Sequence, residues 1–471
     1  MVKYGFSALA VLAGYALLAL ITGGCAQMGY PTGGPKDSLP PVLIKATPEI
    51  NTVNFSGNKI TLQFNEYIDI QNIQDNLLVS PLAKKNPNVS GNLKTLVIKL
   101  RDTLKQNTTY TLQFGNAIKD VNEGNVLKNF SFAFSTGNHV DSLFLSGKVT
   151  LAQTGKTDSS LVVLLYKNIN DSTVYKERPD YIAKLNGKGE FHFQNLPEGS
   201  FYLFALKDND GGKTYNSASE LFAFANQSVE SGTTGAPVHL YAYALEKEKP
   251  SSSRSTTVPT SSRRNQAEKT LKFTPNFLSS NKQDLLKTLD LTFSSKLKRF
   301  DSTKILIADT NYHPLPYTAT MDSTGSLISF KLSWTPNKDY ILLTQEAAFE
   351  DSMGLKNIKN DTFRFKTLSK EDYGAVQLRF QNLDLSQNPV LQLVQGEEIK
   401  LSQAINGSTW QNNMVPPGDY EIRILKDRNQ NGKWDAGNYT LKLQPEIAIA
   451  LPQKLTVKAN WDNERDIDMA N

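Results

Sequence analysis

The sequence predicts an all-β protein of four tandem antiparallel β-sandwich domains, two copies of a two-domain unit in the order A-B-A′-B′. Three observations predict it. Apolar residues recur with period two in short runs bounded by Asn, Gly, Asp or Pro, the pattern of antiparallel strands with one buried face. No long amphipathic helical stretch interrupts them. Two blocks repeat along the chain, and each unit is about 100 residues, the size of one sandwich. The 471-residue length agrees, since about 100–200 residues make a domain.

Taken in order, residues 1–24 read as a secretory signal. Lys3 supplies the positive start, Phe6 to Ile21 the apolar stretch, and Thr22, Gly23 and Gly24 the small residues before the cut. The apolar run is short for a membrane span, which needs about 20 residues. Cys25 is the only cysteine. It rules out an internal disulfide, a Cys-ligated zinc site and paired-thiol redox chemistry. Residues 25–41 read as a tether: AQMGYPTGGPKDSLPP holds four prolines and three glycines with no hydrophobic period. Fully extended, it reaches at most about 55 Å.

Domain A is expected over 42–138, with Ile60-Leu62-Phe64, Leu96-Ile98-Leu100, Tyr110-Leu112-Phe114 and Phe130-Phe132-Phe134 as alternating strands. Domain B follows over 139–245. Its NLPEGSFYLFALK (195–207) matches MVPPGDYEIRILK (414–426) without a gap, with Gly199 on Gly418 and Phe201 on Tyr420. Residues 246–269 form a Ser/Thr-rich, charged linker, too poor in apolar groups to offset the entropy of ordering. Domain A′ is expected over 270–370: Leu289-Leu291-Phe293 answers Ile60-Leu62-Phe64, Tyr340 answers Tyr110, Gly354 answers Gly124, and FRFKT answers FAFST. Domain B′ takes 371–471. Domain interfaces within such a chain are modest, so relative motion of the domains is expected.

Several of these residues carry a resemblance. The Thr22-Gly-Gly-Cys25 junction resembles the lipobox of bacterial lipoproteins, with Thr22 standing where leucine is usual. The stretch PPVLIKATPEINTVNFSGNKITLQFNEYIDI (40–70), with YTLQF, the Asp-x-Asn-x-Gly turn at 120–124 and FAFST, resembles a bacterial Ig-like domain of the S-layer-protein type. B and B′ resemble transthyretin-like or carboxypeptidase-regulatory-like sandwiches. With CAQMG, GGPKD (33–37) and the terminal KDRNQNGKWDAGNY, the chain is similar to a family of Ig-like-domain cell-envelope lipoproteins in Bacteroidota. That resemblance implies cleavage before Cys25, acyl chains such as palmitate on it, and an outer-membrane anchor. Ala26-Gln27-Met28-Gly29 lacks the acidic cluster that often directs such proteins to the cell surface, which favours the periplasmic leaflet and leaves the face open.

Chemistry-bearing motifs are few. Asp427, Asn429, Asn431, Lys433 and Asp435, with Gly432, fill positions 1, 3, 5, 7, 9 and 6 of an EF-hand-type calcium loop. Position 12 is Asn438 rather than glutamate, and a strand precedes the loop. Two readings stand: an Asx-rich hairpin loop whose side chains bond their own backbone, and a weak Ca²⁺ site, the one cofactor the sequence suggests. The equivalent loop in B, Asp208-Asn209-Asp210-Gly-Gly-Lys213, is shorter. Glu66 and Asp69 lie close in sequence near a strand end and are read as solvent-facing acids that discourage edge pairing. His192, between Phe191 and Phe193, is read as a solvent-facing strand histidine. Trp410, Trp434 and Trp461 are candidates for a sugar-stacking platform or, alternatively, for core and loop cover.

No catalytic residues are expected. There is no Gly-x-Ser-x-Gly elbow, His-Glu-x-x-His, phosphate loop or dinucleotide glycine fingerprint. Net charge is only +5 from 51 basic and 46 acidic side chains, which argues against nucleic acid as partner. The expectation is a non-enzymatic, outer-membrane-anchored lipoprotein that acts as a structural or protein-interaction scaffold. The alternative is a carbohydrate-binding accessory lipoprotein using B′. Its partners would be the membrane, through Cys25, and other envelope proteins.

Overall fold

The computed structural model describes residues 36–170, 172–233, 236–245 and 270–470. The signal, Cys25, the tether as far as Gly34-Pro35 and the linker 246–269 lie outside these. Two compact units emerge: one reaches Val79 and resumes over Ala83–Val140, and the other holds Ser80–Leu82 and everything from Asp141. The fold is all-β, built mainly from antiparallel strand pairs.

In the first unit, alternation decides which face is buried. Lys59–Phe64 lies between Leu43–Thr47 and Thr95–Lys99, and Asn88–Asn92 completes the sheet. Ile60, Leu62 and Phe64 turn inward and are fully buried, while Lys59 and Gln63 stay exposed. Thr109–Gln113 pairs with Ser131–Ser135. From these strands Phe134 stacks on Tyr110 with centroids 5.4 Å apart and meets Phe55 at 4.6 Å. Each such side chain, once buried, contributes about 1.5–3 kcal/mol.

Within the second unit, residues 271–367 repeat this plan. Leu289–Phe293 lies between Phe273–Pro275 and Leu327–Lys331, followed by Thr318–Met321. Asp339–Thr344 pairs with Asp361–Thr367. The small ladder Ile68–Ile70 with Ile118–Asp120 returns as Leu297–Phe300 with Phe349–Asp351.

B and B′ share a second topology. In B, Leu143–Leu151 pairs antiparallel with Glu190–Leu196 and parallel with Val238–Ala242. In B′, Gly374–Gln381 pairs antiparallel with Thr409–Val415 and parallel with Asp462–Asp468. The other B sheet places Val162–Tyr166 between Tyr181–Lys184 and Ser200–Leu206, and the other B′ sheet places Pro389–Gln395 between Glu398–Ala404 and Gly418–Lys426. The gapless sequence repeat thus falls in both on the turn that carries the chain from the first sheet of the sandwich to the second. Its aligned glycines, Gly199 and Gly418, have φ of 148° and 153°, a backbone region that side chains with a Cβ rarely enter.

B and B′ are packed against each other although about 200 residues separate them. The sheet of B is buried on both faces: Val163, Leu165, Phe201 and Leu203 point into the sandwich, while Tyr166, Phe204, Phe222 and Phe224 cover the other side. A hairpin arm of B′, closed by reciprocal main-chain bonds between Asn438 and Leu443, crosses that side. Its Tyr439 is 5% exposed and meets the rings of Phe224, Phe222 and Phe204 at 5.2, 5.4 and 5.7 Å. Gln444 Nε2 donates to the Phe224 carbonyl and to Asn226 Oδ1. Two glycines permit the approach. A Cβ on Gly437 would sit 2.7 Å from the Tyr243 ring, and one on Gly155 would sit 2.6 Å from the Ala450 nitrogen. Ala448 N–H donates to the Ala152 carbonyl between the two domains. In place of the expected freedom between these two domains, an aromatic contact, one main-chain bond and the Gln444 side chain close the junction.

Ionic contacts complete it. Glu421 accepts from Lys156 of B at 2.7 Å and from the Arg423 guanidinium at 2.6 Å. Burial pushes the Glu421 carboxyl up, but the hydrogen bonds from Lys156 and Arg423 outweigh it and hold the group below its ordinary value. On the A′ side, the Tyr373 hydroxyl donates to Asp284 Oδ1 at 2.6 Å and accepts from the Leu285 amide at 2.9 Å.

Tyr439→Ala should destabilise the second unit by about 3–5 kcal/mol, the usual effect of truncating a buried aromatic. Denaturant unfolding followed by tyrosine and tryptophan fluorescence reads it. A depressed carboxyl stabilises above its unfolded value, and that contribution is lost as pH falls through the folded one. The stability difference between the native chain and Glu421→Gln should therefore be full at neutral pH and shrink below the ordinary value of 4.5. A pH-independent difference would remove the ion pair from the junction.

Candidate functional site

The Asp427 loop is built by the strand Gly418–Lys426, which delivers Asp427 into the protein, and by Ile447–Val457, which begins just after Glu446. Asp427 is 1% exposed. Its carboxylate accepts from the amides of Asn431 and Gly432 at 3.2 and 2.7 Å. Asn429 Oδ1 accepts from the Asn431 amide, and Asn431 Oδ1 accepts from that of Lys433. The side-chain amides of Asn429 and Asn431 both donate to Asp435 Oδ2 at 2.7 Å. Four of the five sequence-selected residues thus converge by their side chains, and Lys433 joins by its main chain.

Glu446, which no motif had marked, completes the loop. It is buried, and its two oxygens accept from the amides of Arg428 and Asp435. Burial raises its pKa, main-chain bonds oppose this, and Asp435 and Asp427 raise it further. Asp427, Asn429, Asn431, Asp435 and Glu446 all carry oxygens of the kind a hard cation takes, but the asparagines turn their oxygens to main-chain amides and their nitrogens to Asp435. Among the described residues no group of three or more His, Cys, Asp or Glu side chains is placed to hold a metal. Asn438, at position 12, belongs to the arm, where its Oδ1 accepts from the Leu441 amide.

The tryptophans do not form one platform. Trp410 is in the B′ core. Trp434 is half-buried and donates to the Glu446 carbonyl at 2.7 Å. Trp461 is exposed, with Lys458 Nζ 4.9 Å from its ring. His192 faces solvent, as its alternation requires. Asp69 is exposed and accepts from Gln71 Nε2. Glu66 differs from the solvent-facing expectation. It is half-buried, and burial, then the carboxylates of Asp120 and Asp37, raise its pKa. Asp120 itself accepts from the amides of Glu123, Gly124 and Asn125, tying the Asp-x-Asn-x-Gly turn. In A′ the counterpart Asp351 accepts from the amides of Met353 and Leu355, and Ser295 stands where Glu66 would and donates to it. The acid pair is therefore not repeated.

The B–B′ junction also leaves an open cleft of about 880 Å³. B contributes Asn226, Gln227, His239 and Tyr241, and B′ contributes Lys426 and Arg428. His239 stacks on Tyr241 at 4.4 Å and shares a hydrogen bond with Thr150. Burial, then Lys148, lower its pKa below the ordinary imidazole value. An adjoining cleft of about 610 Å³ shares Arg428 and Gln444 and adds Tyr202 and Lys442.

With this geometry in view, residues 37–136 match the family model described as "Bacterial Ig-like domain". That region is an Ig-like domain. No curated protein matches the chain. Among solved structures it is similar to the major pilin subunit BcpA of Bacillus cereus, with 11% identity, 70% of this chain, 99% of that chain and a TM-score of 0.17. It is also similar to domains 1–6 of the surface layer protein SbsC, with 13% identity, 91% and 55% coverage and a TM-score of 0.16. The Bacillus anthracis TIE protein gives 10% identity, 93% and 76% coverage and a TM-score of 0.16. Likeness this distant says nothing of what the chain binds.

Proposed function

We propose that this chain is a non-enzymatic envelope lipoprotein of Bacteroidota type, held in the outer membrane by acyl chains on Cys25, that presents its sandwiches to other envelope proteins. The observation that carries the reading is the order of parts at the N-terminus: a short apolar signal, Gly-Gly-Cys25, and a Pro/Gly tether leading into an Ig-like domain. No helix among the described residues is long and apolar enough to cross a membrane. More than one acyl chain gives durable attachment, since each buried CH₂ contributes about 0.8 kcal/mol. The closed B–B′ junction supports a scaffold role, because a presenting surface keeps its shape only if the domains that form it hold together.

Expressed in its own bacterium, the native chain should partition into the detergent phase of a cloud-point extraction, and Cys25→Ser into the aqueous phase. Equal partitioning would remove the lipid anchor. Protease treatment of intact cells then distinguishes the surface from the periplasmic face.

The nearness of Asn429, Asn431 and Asp435 favours a second reading, in which the two side-chain amides turn their oxygens toward Asp435 and the loop takes Ca²⁺ weakly. Asp427, Asn429, Asn431 and Asp435 would supply side-chain oxygens, and Lys433 its carbonyl. Extracellular modules of this kind bind at about 10⁻⁴–10⁻³ M. Millimolar Ca²⁺ should then raise the melting temperature of the native chain, as a ligand of the folded state must, and leave Asp435→Asn unmoved. No shift at 10 mM, a concentration about ten times the weak end of that range, would leave the loop closed by its own hydrogen bonds.

A further inference from the structure

The cleft at the B–B′ junction is lined by more basic than acidic side chains. Lys426, Arg428 and Lys442 line its two adjoining parts. None of the three forms an ion pair with a carboxylate among the described residues. The smaller part is lined by no acid, and the larger by Glu446 alone. Both oxygens of Glu446 are engaged by main-chain amides. Lys442 rests its ammonium over the Tyr439 ring and Lys426 lies close enough to Asp384 to lower its pKa, but neither is held in an ion pair. With Arg428 they give the opening an excess of basic over acidic lining that favours an anion.

The remaining lining narrows the class of anion. The two parts share Arg428 and Gln444 and together exceed 1,000 Å³, too long and open for an inorganic ion. Amides of Asn226 and Gln227, with the Tyr241 phenol, offer donors and acceptors suited to hydroxyl groups. A peptide adding to the sheet would need a free strand edge. Of the edge strand Phe222–Phe224 only Phe224 lines the cleft, its carbonyl already taken by Gln444 Nε2 at 2.9 Å, and Phe222 is bonded in both directions to Tyr243.

We propose that this cleft binds an acidic oligosaccharide, with Lys426 and Arg428 pairing its carboxylate or sulfate groups and the amides and Tyr241 reading its hydroxyls. The site exists only while B and B′ are docked, because each supplies one wall. It is independent of the lipid anchor and of the calcium reading.

The test uses the purified full-length chain and isothermal titration with three probes: hexagalacturonate, a sulfated heparin-derived hexasaccharide, and neutral maltohexaose. Binding of either acidic probe, weakened by raising salt and absent for maltohexaose, is expected. The two acidic probes separate carboxylate from sulfate recognition. Lys426→Gln, whose side chain holds no ion pair, should weaken binding about tenfold, equivalent to 1.4 kcal/mol, with an unchanged melting temperature. Arg428→Gln provides a second variant at the point where the two parts meet, with the same expected loss. Binding of maltohexaose as tight as the acidic probes, tighter binding of hexaglutamate, affinity unchanged in both variants, or no binding of any probe would each overturn the proposal.

Discussion

The second unit depends on one constraint: a sheet of B that is apolar on both faces must be covered on both. One side is covered by the other half of its own sandwich. The other presents Tyr166, Phe204, Phe222 and Phe224, and left to water it would form an exposed apolar patch of the kind that soluble chains avoid. The B′ arm resolves this by placing Tyr439 on those rings and Lys442 over Tyr439, with its ammonium 3.6 Å from the ring centroid. Gly155 and Gly437 follow from the same constraint, since a side chain at either would hold the domains apart.

The junction changes what the repeat means. Two copies of a two-sandwich unit separated by a linker suggest beads on a string, each folding independently. Instead, B and B′ pair across the intervening A′, and the Tyr373–Asp284 contact fixes A′ to B′. The parts that differ between copies are the parts that make these contacts. The long Asp427 loop and its arm have no equivalent in the short Asp208 loop, and B carries the aromatic face that the arm covers.

Much of the architecture was legible in the sequence because each sandwich buries one face per strand. Ile60-Leu62-Phe64 and Leu289-Leu291-Phe293 alternate and fall on equivalent strands. The gapless match of 195–207 with 414–426 falls on the same sheet-to-sheet turn, where Gly199 and Gly418 share a backbone conformation. The junction was not read, although LVVLLY and FYLFAL carried a signal for it: apolar runs without alternation mark a sheet buried on both sides. Glu446 was missed because it lies beyond any loop spacing and is brought in by the strand after the arm. The cleft was invisible because its walls lie about 200 residues apart. Trp410 falls on the second of the two readings open to it, a core residue rather than a sugar-stacking one.

Differential scanning calorimetry of the full-length chain tests the central claim, that B and B′ form one cooperative body, most directly. The account predicts that they melt in a single transition, and that a B′ arm variant such as Gly437→Val splits it into two. Separate B and B′ transitions in the native chain, unchanged by that variant, would contradict it.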